Sequence, residues 1–346
     1  MFEAAACSES RRSRDTEFAR SCPVCGGPIR ELCGEDSIRS QRRLAYRFHV
    51  RRLERRSRDE LGERALFTQD ESVPLFACTE CELVARWQIP DAASLRRVYA
   101  DDTYAEDRLV EMLAAQVALF RRKVPMLRGL LGRPRRILEL GSFVGGFLDV
   151  AHTQGWDAIG VDPGRQLVAY CRERGRRVYA GTLEEFAAQH AVMPVDCLAI
   201  WNTFEQLPDP RPTLALAARF LAKGGVLVLR VPHGACFRTL LARREAASPV
   251  TRSFWTKCLA WNNLLSFPHL YGYGIPSLDR LVTPFGFARI AAQGDVLVTL
   301  AGRATAAWAR AEEQAIKRTQ LAWIRCSSDS GTLVAAPWLD VYWRRV

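Results

Sequence analysis

The sequence predicts an α/β protein: a doubly wound, mostly parallel sheet, with a small cysteine-bearing unit ahead of it and a helical linker between the two. Three observations carry this expectation. Strand-like and helix-like segments alternate regularly from Arg136 to Pro232, and such alternation requires parallel strands joined by crossover helices. A turn reading Gly141-Ser-Phe-Val-Gly145-Gly146 follows the first strand, at the edge where open α/β sheets receive their ligands. Two Cys-x-x-Cys pairs, Cys22/Cys25 and Cys78/Cys81, stand upstream of the alternating region.

The elements follow in order. Residues 1–20 are polar, charged and patternless, so a flexible tail is expected. Residues 21–100 hold both cysteine pairs. Each pair places two thiolates on one tight turn, and two such turns supply four sulfurs to a closed tetrahedral zinc site. Between the pairs lies a basic, helix-like segment, residues 38–59, and Cys33 and His49, also between the pairs, are spare ligand candidates. Residues 101–132 read as a helical linker or lid, with Leu109, Met112, Leu113, Val117 and Phe120 on one face and Gly132 and Pro134 as stops.

From 133 to 346 the sheet domain is expected. Its strands are 136–140, 157–162, 176–181, 195–201 and 225–232, and its helices are 145–155, 164–175, 182–190 and 212–225. Residues 233–276 read as an insertion covering the substrate. Beyond it come a helix at 277–287, a strand region at 288–302, a helix at 304–324 and a last strand at 337–345.

Composition bounds the function. The 346 residues are 48% hydrophobic, enough for a large core and a second unit. No run of about eighteen uncharged apolar residues occurs, so no membrane span is expected. The N-terminus lacks the apolar stretch of a signal peptide, and a cytoplasmic location follows as an expectation. A net charge of +11, carried mainly by arginine, favours anionic partners: nucleic acid, a nucleotide-linked substrate or acidic lipid. GC-rich coding would give the same arginine content.

The turn after the first strand narrows the ligand. A dinucleotide fingerprint requires G-x-G-x-x-G, and Phe143 stands where the second glycine belongs. No Gly-Lys-Ser/Thr phosphate loop is present either. Asp162 ends the second strand and suits the vicinal hydroxyls of a ribose. Pro163 follows, so Asp162 also reads as a helix cap. Glu139, at the end of the first strand, suits a cationic group such as a sulfonium or an α-ammonium.

Here the chain resembles the class I S-adenosylmethionine-dependent methyltransferases, in the subgroup with an N-terminal zinc-binding unit. "ILELGSFVGGFL" resembles their first motif, "GVDP" their second and "GTLEEF" the segment bordering the adenine. "WNTFEQLPDPRPTLALAARFLAKGGVLVLRVP" is similar to their fourth-strand region, and "FPHLYGYGIPSLDRLVTPFGF" and "PWLDVYWRR" to their C-terminal part. The resemblance implies a Rossmann-like fold, S-adenosyl-L-methionine as cofactor and a structural zinc. It implies that Glu139, Gly141 and Gly145 line the methionine part and that Asp162 holds the ribose. Thr182 and Leu183 would border the adenine. Asn202 and Phe204 would face the transferable methyl group, and Tyr104 would close over the cofactor. Phe143 is expected to pack beside its methionine end.

Methyl transfer to a hydroxyl or an acidic carbon also needs a proton acceptor. The family often shows Glu-His after the fourth strand; here Glu205-Gln206 stands there, and Gln206 cannot be a base. His233, after the fifth strand, and His269, in the insertion, are the remaining candidates. Tyr271, Tyr273, Trp255 and Trp261 read as an aromatic substrate wall or as packing. The leading expectation is O- or C-methylation of a small molecule: a sugar, a nucleotide-sugar or a natural-product intermediate. An RNA or DNA methyltransferase gripping phosphates with the basic segment is the alternative. A non-catalytic binding protein on the same fold is the third.

Overall fold

The computed structural model describes residues 21–34, 43, 47–48, 50–53, 74–86, 89–132, 136–190, 193–260, 269–296, 305–328 and 333–346. The expected tail, His49, Trp261 and most of the basic segment lie outside these residues.

The larger of two sheets has seven strands. They are β4 (Arg136–Leu140), β5 (Asp157–Asp162), β6 (Val178–Ala180), β7 (Val195–Trp201), β8 (Leu221–Pro232), β10 (Phe287–Asp295) and β11 (Trp338–Arg345). Their spatial order is β10-β11-β8-β7-β4-β5-β6. Strands β4 to β8 pair in parallel, and β11 runs antiparallel to both β8 and β10. The sheet is thus mixed, with a parallel centre. Sequence order reverses between β4 and β7, and a crevice opens at such a switch point beyond the carboxyl ends of the strands.

The central strands are near-continuous apolar runs because both faces are covered. Ile137, Cys197, Ala199, Val226 and Val228 enter one buried cluster; Leu138, Leu140, Leu198, Ile200, Leu227 and Leu229 enter another. Helices α3 (Gly146–Thr153) and α2 (Glu106–Leu131) contribute Phe147 and Phe120 to the first cluster. With Trp201 these rings form a triangle with centroids 5.3–5.6 Å apart. Helices α5 (Leu183–Gln189), α6 (Arg211–Phe220) and α9 (Ile275–Val282) cover the second cluster; α4 (Arg165–Glu173) follows β5.

Several boundaries differ from expectation. The segment 91–132 is two helices, α1 (Ala92–Asp101) and α2, with Asp91 capping the first through Ser94. Helix α2 is not a linker. Leu119, Phe120, Val124 and Leu127 bury it in the sheet's own core. The helix after β7 ends at Phe220, because Leu221 already pairs with Val195 in the ladder.

The smaller sheet has the order β1 (Ile29–Cys33), β2 (Leu75–Cys78), β3 (Val84–Arg86), β9 (Tyr271–Gly272). Its last strand belongs to the expected insertion: Val84 pairs with Gly272 and Ala85 with Tyr271. The helices α7 (Gly234–Glu245) and α8 (Pro249–Ala260) also lie in the insertion. They bury Phe237, Leu241 and Leu259 against Cys33, Leu75, Ala77 and Val84 of this sheet. Residues 233–276 therefore complete the cysteine-bearing unit and fasten it to the larger sheet; they are not simply a cover over a substrate. Helix α10 (Ala307–Ser328) follows β10. Among the described residues no helix is long and apolar enough to cross a membrane.

Candidate functional site

The loop from Gly141 to Gly146 joins β4 to α3 at the switch point. Gly141 donates to the Val161 carbonyl (2.8 Å) and adopts φ +77°; a Cβ there would collide with Thr203 at the end of β7. Only glycine serves both demands. Gly146 meets Gln116 of α2 in the same way, and its N–H donates to Gln116 Oε1 (3.1 Å). Phe143 sits at φ 50°, a left-handed backbone that costs an L-residue about 1–2 kcal/mol. Asp162 holds it there. The two oxygens of its carboxylate accept the N–H groups of Phe143 (2.7 Å) and Gly164 (2.8 Å). Each oxygen keeps a second lone pair for a further donor.

Two buried carboxylates then face a site short of positive charge. Burial, reinforced by the Asp162 charge, pushes Glu139 well above the usual carboxylate range. Burial raises Asp162 to about 6, against the two N–H bonds that lower it. Glu139 Oε2, Ser142 Oγ and Asn202 Oδ1 are buried without a hydrogen-bond partner among the described residues. Native structures leave few such atoms. These oxygens lie at adjacent strand ends with the Asp162 carboxylate, an arrangement able to accept from a donor-rich cation.

A family model described as a methyltransferase domain matches residues 112–292, more than half of the chain. The chain belongs to this methyltransferase family. Among solved structures, it is similar to an S-adenosylmethionine-dependent methyltransferase from Archaeoglobus fulgidus, at 17% identity over 73% of this chain and 100% of that one (TM-score 0.43). It is similar to a Pyrococcus horikoshii protein, at 14% over 73% and 99% (TM-score 0.42). The corresponding values for a Mesorhizobium loti methyltransferase are 18%, 64%, 96% and 0.39. No curated protein matches the chain.

The expected cofactor residues of this methyltransferase separate into two groups. Glu139, Gly141, Phe143, Gly145, Asp162 and Asn202 gather around the carboxyl ends of β4, β5 and β7, where Gly145 (φ 79°) and Asn202 (φ 53°) are also left-handed. Tyr104 lies over them: its ring meets Phe143 edge-on at 5.7 Å, and its backbone is clamped by Gln166 through bonds of 2.7 and 2.8 Å. Phe204 and Leu183 do not join the group. Phe204 is 0% exposed, packed at 5.5 Å from Tyr273, and Leu183 is 1% exposed in the core beneath the sheet. Each is the first residue of a short helix and faces the core, an orientation its apolar character alone does not reveal. Thr182 is a capping-box residue whose hydroxyl accepts from Glu185 N. Tyr271 and Tyr273 are packing, not wall; Tyr271 donates its hydroxyl to the Pro208 carbonyl (2.8 Å).

The histidines differ as sharply. His233 precedes α7 with Nδ1 2.9 Å from the Ala336 carbonyl, and burial lowers it to about 4. This withdraws it as a base: it ties α7 to the segment before β11. His269 lies with Nδ1 3.1 Å from Glu205 Oε1. Sequence reasoning misses the roles of Glu205, Gln116 and Gln166. The doubled glycine at 145–146 is the one available sign that something approaches closely from α2.

The four paired cysteines do converge. Their sulfurs all lie within 4.8 Å of one another, with Cys22–Cys81 at 3.6 Å and Cys25–Cys78 at 3.5 Å. Zinc–sulfur bonds of about 2.3 Å in a tetrahedron put sulfurs about 3.8 Å apart, so the set fits zinc. Backbone N–H groups of Gly27, Glu80 and Cys81 point at Cys25 and Cys78 sulfurs from 3.4 Å, as partners of thiolates do. The Cys22 thiol is lowered to about 5, chiefly by its bond to Cys81, whose own thiol is raised. Cys33 stays outside the cluster, in the apolar packing of the small sheet.

Proposed function

We propose that the protein is an S-adenosylmethionine-dependent methyltransferase acting on a small molecule, with O- or C-methylation as the reaction. The acceptor class we infer is a sugar, nucleotide-sugar or natural-product intermediate; a basic chain suits an anionic one. The observation that carries the cofactor assignment is the pair of buried carboxylates, Glu139 and Asp162, beside the partnerless Ser142 Oγ and Asn202 Oδ1. When bound, the cofactor supplies an electrophilic methyl on a sulfonium. Glu139 and Asn202 would accept from its α-ammonium and hold the methionine end. The spare lone pairs of Asp162 would take the ribose hydroxyls. Tyr104 and Phe143 would shield the loop from water, and the backbone at Thr182 would border the base. His269 would take the acceptor's proton. Zinc in the four-cysteine site would hold the small sheet, and through β9 the His269 segment.

Isothermal titration with S-adenosylhomocysteine tests this reading. A one-to-one complex is expected; lack of binding would sink it. A steep salt dependence of RNA binding would favour a nucleic-acid substrate instead.

A further inference from the structure

We propose that Glu205 is a positioning residue: it holds His269 as the tautomer protonated on Nδ1, so that Nε2 stands bare as the proton acceptor of methyl transfer. The inference rests on the methyltransferase reading and deepens it. Glu205 follows β7 and is wholly buried. An ionised carboxylate only accepts hydrogen bonds, so with Glu205 charged the contact at 3.1 Å puts the proton on Nδ1. In a neutral ring the lone pair is then on Nε2, which has no hydrogen bond among the described residues. Among the described residues Glu205 Oε2 is buried and unpartnered, and Oε1 meets the His269 ring.

The backbone fixes the pair from several sides. Leu270 N donates to the Glu205 carbonyl (3.0 Å), Arg86 N donates to the Leu270 carbonyl (3.0 Å), and Arg86 Nε donates to the His269 carbonyl (2.9 Å). The Trp338 ring stands edge-on to the imidazole at 5.8 Å. Gln206 is engaged elsewhere, accepting from Tyr99 (2.9 Å) and donating to the Asn202 carbonyl (2.6 Å). The dyad is therefore assembled from two loops 64 residues apart. In the reaction the acceptor's O–H or C–H bond breaks and its proton goes to Nε2. The electron pair forms the bond to the methyl carbon, whose bond to the sulfonium sulfur would break and leave its own pair on the neutral thioether of S-adenosylhomocysteine. The positive charge lost at the sulfonium reappears on the imidazolium, beside the Glu205 carboxylate.

The test is nitrogen NMR on the full chain labelled at histidine, with His269 assigned through His269→Asn. His233, whose Nδ1 faces a carbonyl, supplies a reference signal for the Nδ1–H tautomer. Wild type at neutral pH should show His269 with Nε2 unprotonated. Glu205→Ala should move the proton wholly or partly to Nε2, and Glu205→Gln, whose amide oxygen still accepts, should restore the wild-type pattern. A wild-type ring protonated on Nε2, or an unchanged spectrum in Glu205→Ala, would overturn the proposal. Should Glu205→Ala not fold, the wild-type tautomer and its retention in Glu205→Gln decide. Calorimetry with S-adenosylhomocysteine separates the two layers: no binding overturns the methyltransferase role, whatever tautomer is found.

Discussion

Phe143 offers a quantitative test of the loop. Its φ of 50° costs about 1–2 kcal/mol, which glycine would recover. Against this, Phe143→Gly removes a half-buried ring packed on Leu109, Met112 and Val144, worth roughly 1 kcal/mol of the 1.5–3 for full burial. It also loses the edge-on contact with Tyr104, about 0.5–1.5 kcal/mol. Extra freedom in the unfolded chain takes about 0.4–1 kcal/mol more. The sum is a loss of about 1 kcal/mol. Phe143→Ala loses the same ring but keeps the left-handed strain, so it should be less stable than the glycine variant by about 1 kcal/mol. Urea unfolding followed by circular dichroism measures both. Affinity for S-adenosylhomocysteine should stay within about threefold in Phe143→Gly, or ~0.7 kcal/mol, because the N–H that reaches Asp162 is retained. Should the alanine variant equal or exceed the glycine variant in stability, the left-handed assignment is wrong. A loss above about 3 kcal/mol in Phe143→Gly would make the ring a core residue and not a cover for the loop.

Three more outcomes follow from the site. Glu139→Gln replaces a carboxyl whose ionisation burial already opposes: apo stability should hold or rise, while affinity for the cofactor measured by calorimetry falls about 10- to 100-fold, in line with ~1.5–3 kcal/mol for a charge-assisted bond. The raised Asp162 makes the apo protein and its complex respond oppositely to pH. Its folded state binds the proton more tightly than the unfolded chain, so its contribution to stability is present below 3.8 and lost as pH rises to about 6. Cofactor affinity, which needs the ionised form, should climb over the same window; thermal melts and titrations at stepped pH check both. Cys78→Ser should lower zinc content measured by atomic absorption and the melting temperature together, and should broaden the His269 NMR signal, since the four-cysteine site carries β3 and β3 carries β9.

Much of the fold and part of the site are legible in the residues themselves. The strands from Arg136 to Pro232 are apolar runs because both faces of the parallel sheet are covered, and a run bounded by glycines and carboxylates announces its own ends. The cysteine pairs are equally plain, because metal coordination by thiolates restricts ligand type and local spacing and leaves the intervening length free. Helix α2 departs from expectation because its apolar face reads the same whether it covers a sheet or bridges two units. Phe204 and Leu183 depart because each opens a short helix beyond its strand, and an apolar residue there reads the same whether it enters the core or the crevice.

The sequence by itself determined the α/β sheet, the cysteine ligand set and the carboxylates at the ends of β4 and β5, since each depends on local periodicity or fixed offsets along the chain. Only the tertiary structure decided which histidine has a carboxylate partner, that β9 closes the small sheet, and that Thr203 and Gln116 press on the glycines of the loop. Those facts are contacts between segments far apart in the chain, and they depend on how faces pack, a quantity that no single segment carries.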